Sequence, residues 1–424
     1  MYGSESNDAT VTCKDPEPFP KRSRQHSHRE AGAMHSLRCV PIAPYFPGTE
    51  LRLAWTLTCP KQFPSSMAFS SCSQSLVAQL CAASLFLATA TRSPAASPPP
   101  PAITHLRVVG GLSGINQYTQ HEEPFWLTGL PTASGGRLTA EIVPFDKAGV
   151  RPQDMLRLVQ LGTVPFGTAM LTLSGGKDPE LLGPDLAGLN ADIGSMRRSA
   201  RAFRPRLEQL LQERYGAELL ALYIYPAQET FCTRELKGLA DLKGRRVRVS
   251  NPSQTDFMSA LGAIPVQTSF GEIVPALRAG AIDCAVTGTM SGNTIGLPGQ
   301  SKYLHTMPLG WGLAAFVVNG ATWQALHQDD RSLLRKELAR VESEIWEESD
   351  RQTADGIACN VGSPSCVDGR KGAMVQVVTS AADETLRRRI VSEQVVPAWT
   401  RRCGRPCVEL WHSTVGPAAG VSTR

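Results

Sequence analysis

The sequence has 424 residues, 42% hydrophobic, 19% charged and 6% aromatic, a globular composition with enough length for a large core or two domains, which excludes disorder over most of the chain. The 43 Lys and Arg outnumber 38 Asp and Glu for a formal +5, but nine basic and six acidic residues precede Pro98, so the remainder carries 34 against 32. A nearly neutral body without a concentrated basic stripe argues against nucleic-acid binding, and the Arg-rich stretch from Met196 to Arg206 reads as the solvated side of a helix.

Leu76 to Ala90 (LVAQLCAASLFLATA) is apolar, too short for a membrane span, and ends in Ala88-Thr89-Ala90, the A-x-A form of a signal-peptidase site. Pro98 to Pro101 follows, and Leu80 before Cys81 is too large for a lipoprotein signal. The reading is therefore a non-native or disordered extension over 1–66, with translation starting at Met34 or Met67, a signal peptide over 67–96, a Pro-rich linker over 97–104, and export to the periplasm.

Beyond the linker, strand-like and helix-like segments alternate. Leu106 to Val109 is a short apolar run ending in Gly110-Gly111-Leu112-Ser113-Gly114, Arg137 to Pro144 alternates as a half-buried strand, and Gln153 to Leu161 reads as a helix. From Ser195 to Tyr215, Met196, Ala200, Phe203, Leu207, Leu210 and Leu211 share one helical face, and Pro205 predicts a kink or break. Strands follow at Leu220 to Tyr225, Val247 to Val249, Cys284 to Gly288 and Gly312 to Asn319. A long helix is expected from about Ser332 to Arg351, capped by Asp330, then a strand at Ala373 to Val378 and a helix opened by Ser380-x-x-Asp383. The alternation predicts an α/β fold with mostly parallel sheets.

Five of the eleven cysteines, Cys13, Cys39, Cys59, Cys72 and Cys81, precede the predicted mature body. Cys359 with Cys366, and Cys403 with Cys407, enclose Gly/Pro-rich loops that suit disulfides in an oxidising compartment. The alternative is a zinc site of four thiolates, although neither pair has C-x2-C spacing. Cys232 and Cys284 are read as free, buried thiols.

Catalytic motifs are missing: there is no HExxH, GxSxG, P-loop or GxGxxG. His121-Glu122-Glu123, followed by Pro124, reads as a cap or a solvent-facing group, and His305 and His327 as structural. No enzyme, cofactor or metal is expected. One constellation carries binding chemistry. Asp241 to Gly244 forms a turn into a strand where Val247 and Val249 share one face and Arg246 and Arg248 the other. An arginine held by a strand offers a planar fork for a carboxylate, while periodicity alone favours an exposed basic edge strand.

The run DLKGRRVRV (Asp241 to Val249), followed by LGAIPVQTSFGEIVPALRAGAID (Leu261 to Asp283), resembles the extracytoplasmic solute-binding subunit of tripartite ATP-independent periplasmic (TRAP) transporters, the DctP or dicarboxylate-binding type. The similarity extends from about Leu106 to the C-terminus. It implies a two-domain periplasmic-binding-protein-like α/β fold with a hinge and a long bracing helix. Domain I would comprise 105–226 and 311–350, and domain II 227–310 and 351–415 with the C-terminal helices. It also implies capture of a small organic acid for delivery to small and large membrane subunits, with Arg248 on the ligand carboxylate and Thr287 where relatives often carry an asparagine. Gln228 occupies the position of a second arginine found in some members, which leaves a monocarboxylate, hydroxy acid or keto acid as open as a dicarboxylate. Ser113, Asn116 and Trp311 are further candidate lining residues. The alternatives are a ligand-binding sensory module for a membrane receptor, and a secreted α/β enzyme using His121, Glu122 and Glu123.

Overall fold

Period-two apolar patterning places eleven strands in two mixed sheets among the described residues, 103–421 of the computed structural model. In chain order these are β1 (Thr104–Gly110), β2 (Leu138–Pro144), β3 (Phe166–Met170), β4 (Ala217–Tyr223) and β5 (Gln228–Cys232). There follow β6 (Arg246–Val249), β7 (Ile264–Gln267), β8 (Cys284–Gly288), β9 (Tyr303–His305), β10 (Ala314–Asn319) and β11 (Val375–Val377). The expected extension over 1–66, the signal segment 67–96, all but the last two residues of the 97–104 linker, and the five N-terminal cysteines lie outside the described residues.

The first sheet has the order β2-β1-β3-β10-β4 and the second β11-β9-β5-β8-β6-β7. Five of the nine strand pairs among the described residues are parallel, as expected; the exceptions are β10, antiparallel to β3 and β4, and β5, antiparallel to β8 and β9. The cause is topological, because β4 leads into β5 and β9 into β10 by crossing from one sheet to the other, so each strand enters its new sheet reversed. The crossing segments bond to each other, Tyr225 N–H donating to the Trp311 carbonyl (2.8 Å) and Gln228 N–H to that of Gly310 (2.8 Å).

Helix Ile193–Tyr215 starts at Asp192, whose carboxylate accepts the Ser195 N–H (2.7 Å), and stops at Gly216 in the left-handed region. Its buried face is the predicted one, but Pro205 neither breaks nor ends it. Pro205 lies on the exposed side, as does Arg201 four residues earlier, whose carbonyl loses its helical donor where water can replace it.

The long helix is Gln328–Val361, capped by the His327 ring on the Asp329 N–H rather than by Asp330. Its apolar stripe (Leu334, Leu338, Val341, Ile345) gives way beyond Arg351 to buried Gln352, Asp355, Gly356, Cys359 and Asn360, so periodicity falls silent where the helix continues. The first half serves the first sheet, Trp346 Nε1 donating to the Leu222 carbonyl (2.8 Å) and Ser349 Oγ to that of Ile224 (2.8 Å). The second half serves the other sheet, Asn360 Nδ2 donating to the Thr289 carbonyl (3.0 Å). Close approach there depends on Gly356, where a Cβ would stand 2.6 Å from the Thr289 carbonyl carbon. Gly356→Ala is therefore expected to cost about 1–3 kcal/mol in urea unfolding, since backbone cannot step aside as a flexible side chain can; an unchanged midpoint and slope would show that the long helix moves away from the Thr289 backbone freely.

Cys359 is joined to Cys366 and Cys403 to Cys407. Cys232 and Cys284, read from sequence as free, are also bonded: they face each other across β5 and β8 with Cα atoms 4.1 Å apart. All six cysteines of the described residues are thus paired, and the zinc alternative has no free thiolates.

Candidate functional site

A cavity of about 530 Å³ lies where the C-terminal ends of strands from both sheets meet the crossing segments. This is the position at which open α/β sheets commonly accept ligands. The first sheet contributes Leu112, Ile115, Phe145 and Met170 from segments after β1, β2 and β3. The second contributes Arg248 and Thr287 from its strands and Thr268 and Phe270 from the turn after β7, while Tyr225 and Gln228 stand at the crossing.

Arg248 is held in place by the fold. Only 5% of it is exposed, Nε donates to the Thr268 carbonyl (2.9 Å) and Nη1 to the Val286 carbonyl (2.6 Å). A guanidinium carries five N–H groups, so both on Nη2 and one on Nη1 remain available. Burial pulls its pKa down to about 10, with no carboxylate of the described residues opposing the shift, and it stays charged at neutral pH. Arg246, on the same face, is half-exposed and already occupied: its Nε (3.1 Å) and Nη2 (3.0 Å) fork onto Asp283. Strand alternation put both arginines on one side, and the register leaves Arg246 outside the cavity lining, paired with an acid, and Arg248 in it without one.

Thr287, Gln228 and Arg248 line this cavity together; Ser113, Asn116 and Trp311 are not among its lining residues. Ser113 instead braces the wall residue Asp146, donating through N–H (2.9 Å) and Oγ (2.5 Å). Burial of Asp146 acts upward on its pKa, but the Ser113 bonds hold it below the usual carboxylate range. Asn116 precedes the turn that opens helix Gln117–Glu122. Trp311 is buried, Nε1 bonded to the Asn190 carbonyl (3.2 Å) and N–H to Asp185 (2.9 Å), so it fastens the crossing segment rather than facing a ligand.

The His121-Glu122-Glu123 reading is also corrected. Glu122 is buried and accepts the Gly111 N–H (2.6 Å), Thr168 Oγ1 (3.0 Å) and the Tyr223 hydroxyl, and burial pushes its pKa upward against those bonds. It locks the loop after β1 to β3 and β4. Glu123 instead accepts from the Tyr118 hydroxyl (3.3 Å), so the two acids do not act together.

Tyr225 was not singled out by the sequence. Its hydroxyl is buried at the cavity wall near the Leu112 N–H, and burial, with nearby Glu122 adding, pushes its pKa up against that backbone contact, so that it stays neutral with its proton free to donate. Gln228 is oriented by Gln254, whose Nε2 donates to its Oε1 (2.6 Å). Gly312, at φ +60°, lies against both: a Cβ there would stand 3.1 Å from Gln228 Nε2 and 3.4 Å from Tyr225 Cβ. Gly312→Ala is expected to cost about 1–2 kcal/mol of stability, measured in denaturant, because an L side chain is disfavoured in the left-handed region.

Glu229, next to Gln228, is 1% exposed with Oε2 unpartnered, and burial drives its pKa well above 4.5. Below pH 4.5 the carboxyl is protonated whether folded or not; above it the unfolded chain ionises while the native state keeps its proton, so stability falls as pH rises toward the native value. Glu229→Gln is expected to raise the melting temperature at pH 8 and change it little at pH 4. Equal effects at both would mean that Glu229 is ionised in the native protein.

The family model for bacterial extracellular solute-binding proteins, family 7 (DctP), matches residues 121–358. The chain belongs to this family. Among curated proteins, this family 7 chain is 24% identical over 230 residues to a solute-binding protein of Roseobacter denitrificans, covering 50% of this chain and 65% of the relative. It is 23% identical over 214 residues to the sialic acid-binding periplasmic protein SiaP of Vibrio cholerae, covering 50% and 66%. The matches thus span just under two thirds of these relatives. Among solved structures, DctP7 of Bordetella pertussis, an extracytoplasmic solute receptor binding pyroglutamic acid, superposes with a TM-score of 0.65 at 20% identity, over 73% of this chain and 99% of that one. The fold is the two-domain α/β fold of these binding proteins, with the long helix running along both sheets. The family is one of binding proteins, which sets aside the secreted-enzyme alternative.

Proposed function

We propose that this family 7 protein is the periplasmic solute-binding component of a TRAP-type secondary transporter, capturing a small organic acid through its carboxylate and delivering it to small and large membrane subunits. The observation that carries the reading is Arg248: a buried guanidinium, anchored by two carbonyls, with three N–H groups and no acidic partner at the wall of a cavity. Buried charges are ordinarily paired, and an anion arriving from solution completes the pair. Thr287, Gln228 and Tyr225 supply neutral polar groups around it. The compounds named for two of the similar proteins, sialic acid and pyroglutamic acid, are both carboxylic acids.

The lobes would be 105–226 with 311–350 and 227–310 with 351–415, hinged at the paired crossing segments, the ligand stabilising the closed form because it touches both. A thermal-shift screen of organic acids tests the reading. An acid at about 100 times its dissociation constant stabilises by about 2.7 kcal/mol. A response to neutral sugars and to no carboxylate would overturn it. Uptake of the same acid by membranes carrying the two subunits, with and without this chain, tests delivery.

A further inference from the structure

Charge and surface in the cavity say more about the ligand than that it is acidic. Besides Arg248, two ionised side chains line it. Asp146 is an exposed carboxylate at the cavity edge, kept ionised by the two Ser113 bonds with Lys147 adding. Arg151 is an exposed rim residue already turned onto Asp154, with Nε 2.7 Å and Nη2 2.6 Å from Oδ2. Lys177 shares Asp154 with Arg151, and both cations are largely exposed, so water meets their charge; away from that cluster the cavity presents one unmet buried positive charge, Arg248, and one negative charge, Asp146. A single carboxylate satisfies the first; a second carboxylate on the same ligand would share the cavity with Asp146 and find no further buried cation there.

Much of the remaining wall is apolar. Leu112, Ile115, Phe145, Val150, Met170 and Phe270 line the cavity, and the neutral donors Tyr225, Gln228 and Thr287 lie with Arg248 on the crossing and second-sheet side. We infer that the ligand is a monocarboxylate whose remaining body is uncharged and largely apolar, such as a branched-chain or aryl-substituted acid, rather than a dicarboxylate. This inference rests on the proposed role of Arg248 and goes beyond it by assigning the chemistry of the rest of the ligand. An apolar body removes wall surface from water on binding, while a charged one loses its hydration with no cation to replace it.

Calorimetric titration of the purified chain with butyrate, succinate and 3-phenylpropionate tests this, because butyrate and succinate share a four-carbon chain and differ in one carboxylate. Succinate is expected to bind at least about tenfold more weakly than butyrate, and 3-phenylpropionate at least about tenfold more tightly. Asp146→Asn is expected to narrow the gap between succinate and butyrate, since it removes the repelling charge and leaves Arg248 untouched. Succinate binding as tightly as butyrate, 3-phenylpropionate binding no better than butyrate, or no monocarboxylate binding at millimolar concentration would each overturn the inference. Arg248→Gln separates the two levels. If it abolishes binding while the wild type prefers succinate, only the monocarboxylate assignment falls; if it leaves every acid bound as in the wild type, the role of Arg248 falls as well.

Discussion

Replacing Arg248 by methionine is expected to weaken binding of the organic acid by about 2–5 kcal/mol, roughly thirtyfold to several thousandfold, because the ligand carboxylate would enter the cavity with no charge to meet it. The unliganded protein should behave differently. Methionine has comparable length, and removing a buried cation without an acidic partner relieves a desolvation cost, so apo stability should fall by no more than about 1 kcal/mol despite the donors lost to the Thr268 and Val286 carbonyls. Calorimetry and urea unfolding on the same variant check both halves. Retained affinity with lowered stability would make Arg248 a structural residue. Arg248→Lys should fall between, keeping the charge but losing the planar fork.

The second large effect is expected at Asp185. It is 2% exposed, and its carboxylate accepts the N–H groups of Trp311 (2.9 Å) and Leu313 (3.1 Å), the segment that returns the chain from the second sheet to the first. Asp185→Ala leaves two buried donors without an acceptor and should cost about 3 kcal/mol or more. Asp185→Asn should cost less, since one amide oxygen still accepts, although its NH2 must face a donor. Because that segment also holds Tyr225 through the Trp311 carbonyl (2.8 Å), ligand affinity should fall in parallel. A loss below about 1 kcal/mol in Asp185→Ala would show that the crossing is fixed by other contacts.

What was legible in the sequence follows from what is local. Arg248 could be found because strand alternation separates Arg246 and Arg248 from Val247 and Val249 within four residues, and because the surrounding run resembles a known family. Tyr225 and Asp146 were not, for opposite reasons. Tyr225 ends an apolar strand and reads as core, and Asp146 sits in a turn whose importance depends on a loop 33 residues earlier. A search of the residues just after each strand would have flagged Asp146 and Phe270, since several lining segments lie at such ends. The Cys232–Cys284 bridge was invisible because its members, 52 residues apart, meet only through the pairing of β5 with β8. The far half of Gln328–Val361 escaped because it packs through polar and small residues, leaving no apolar period to read.

The most direct test is the location of the ligand carboxylate in a crystal structure of the complex. It should lie against Arg248, accepting from Nη2 and the remaining Nη1 hydrogen at hydrogen-bond distance, with the rest of the ligand toward Phe145 and Phe270. A carboxylate seated on Arg151 at the rim, or a ligand without contact to Arg248, would contradict the account.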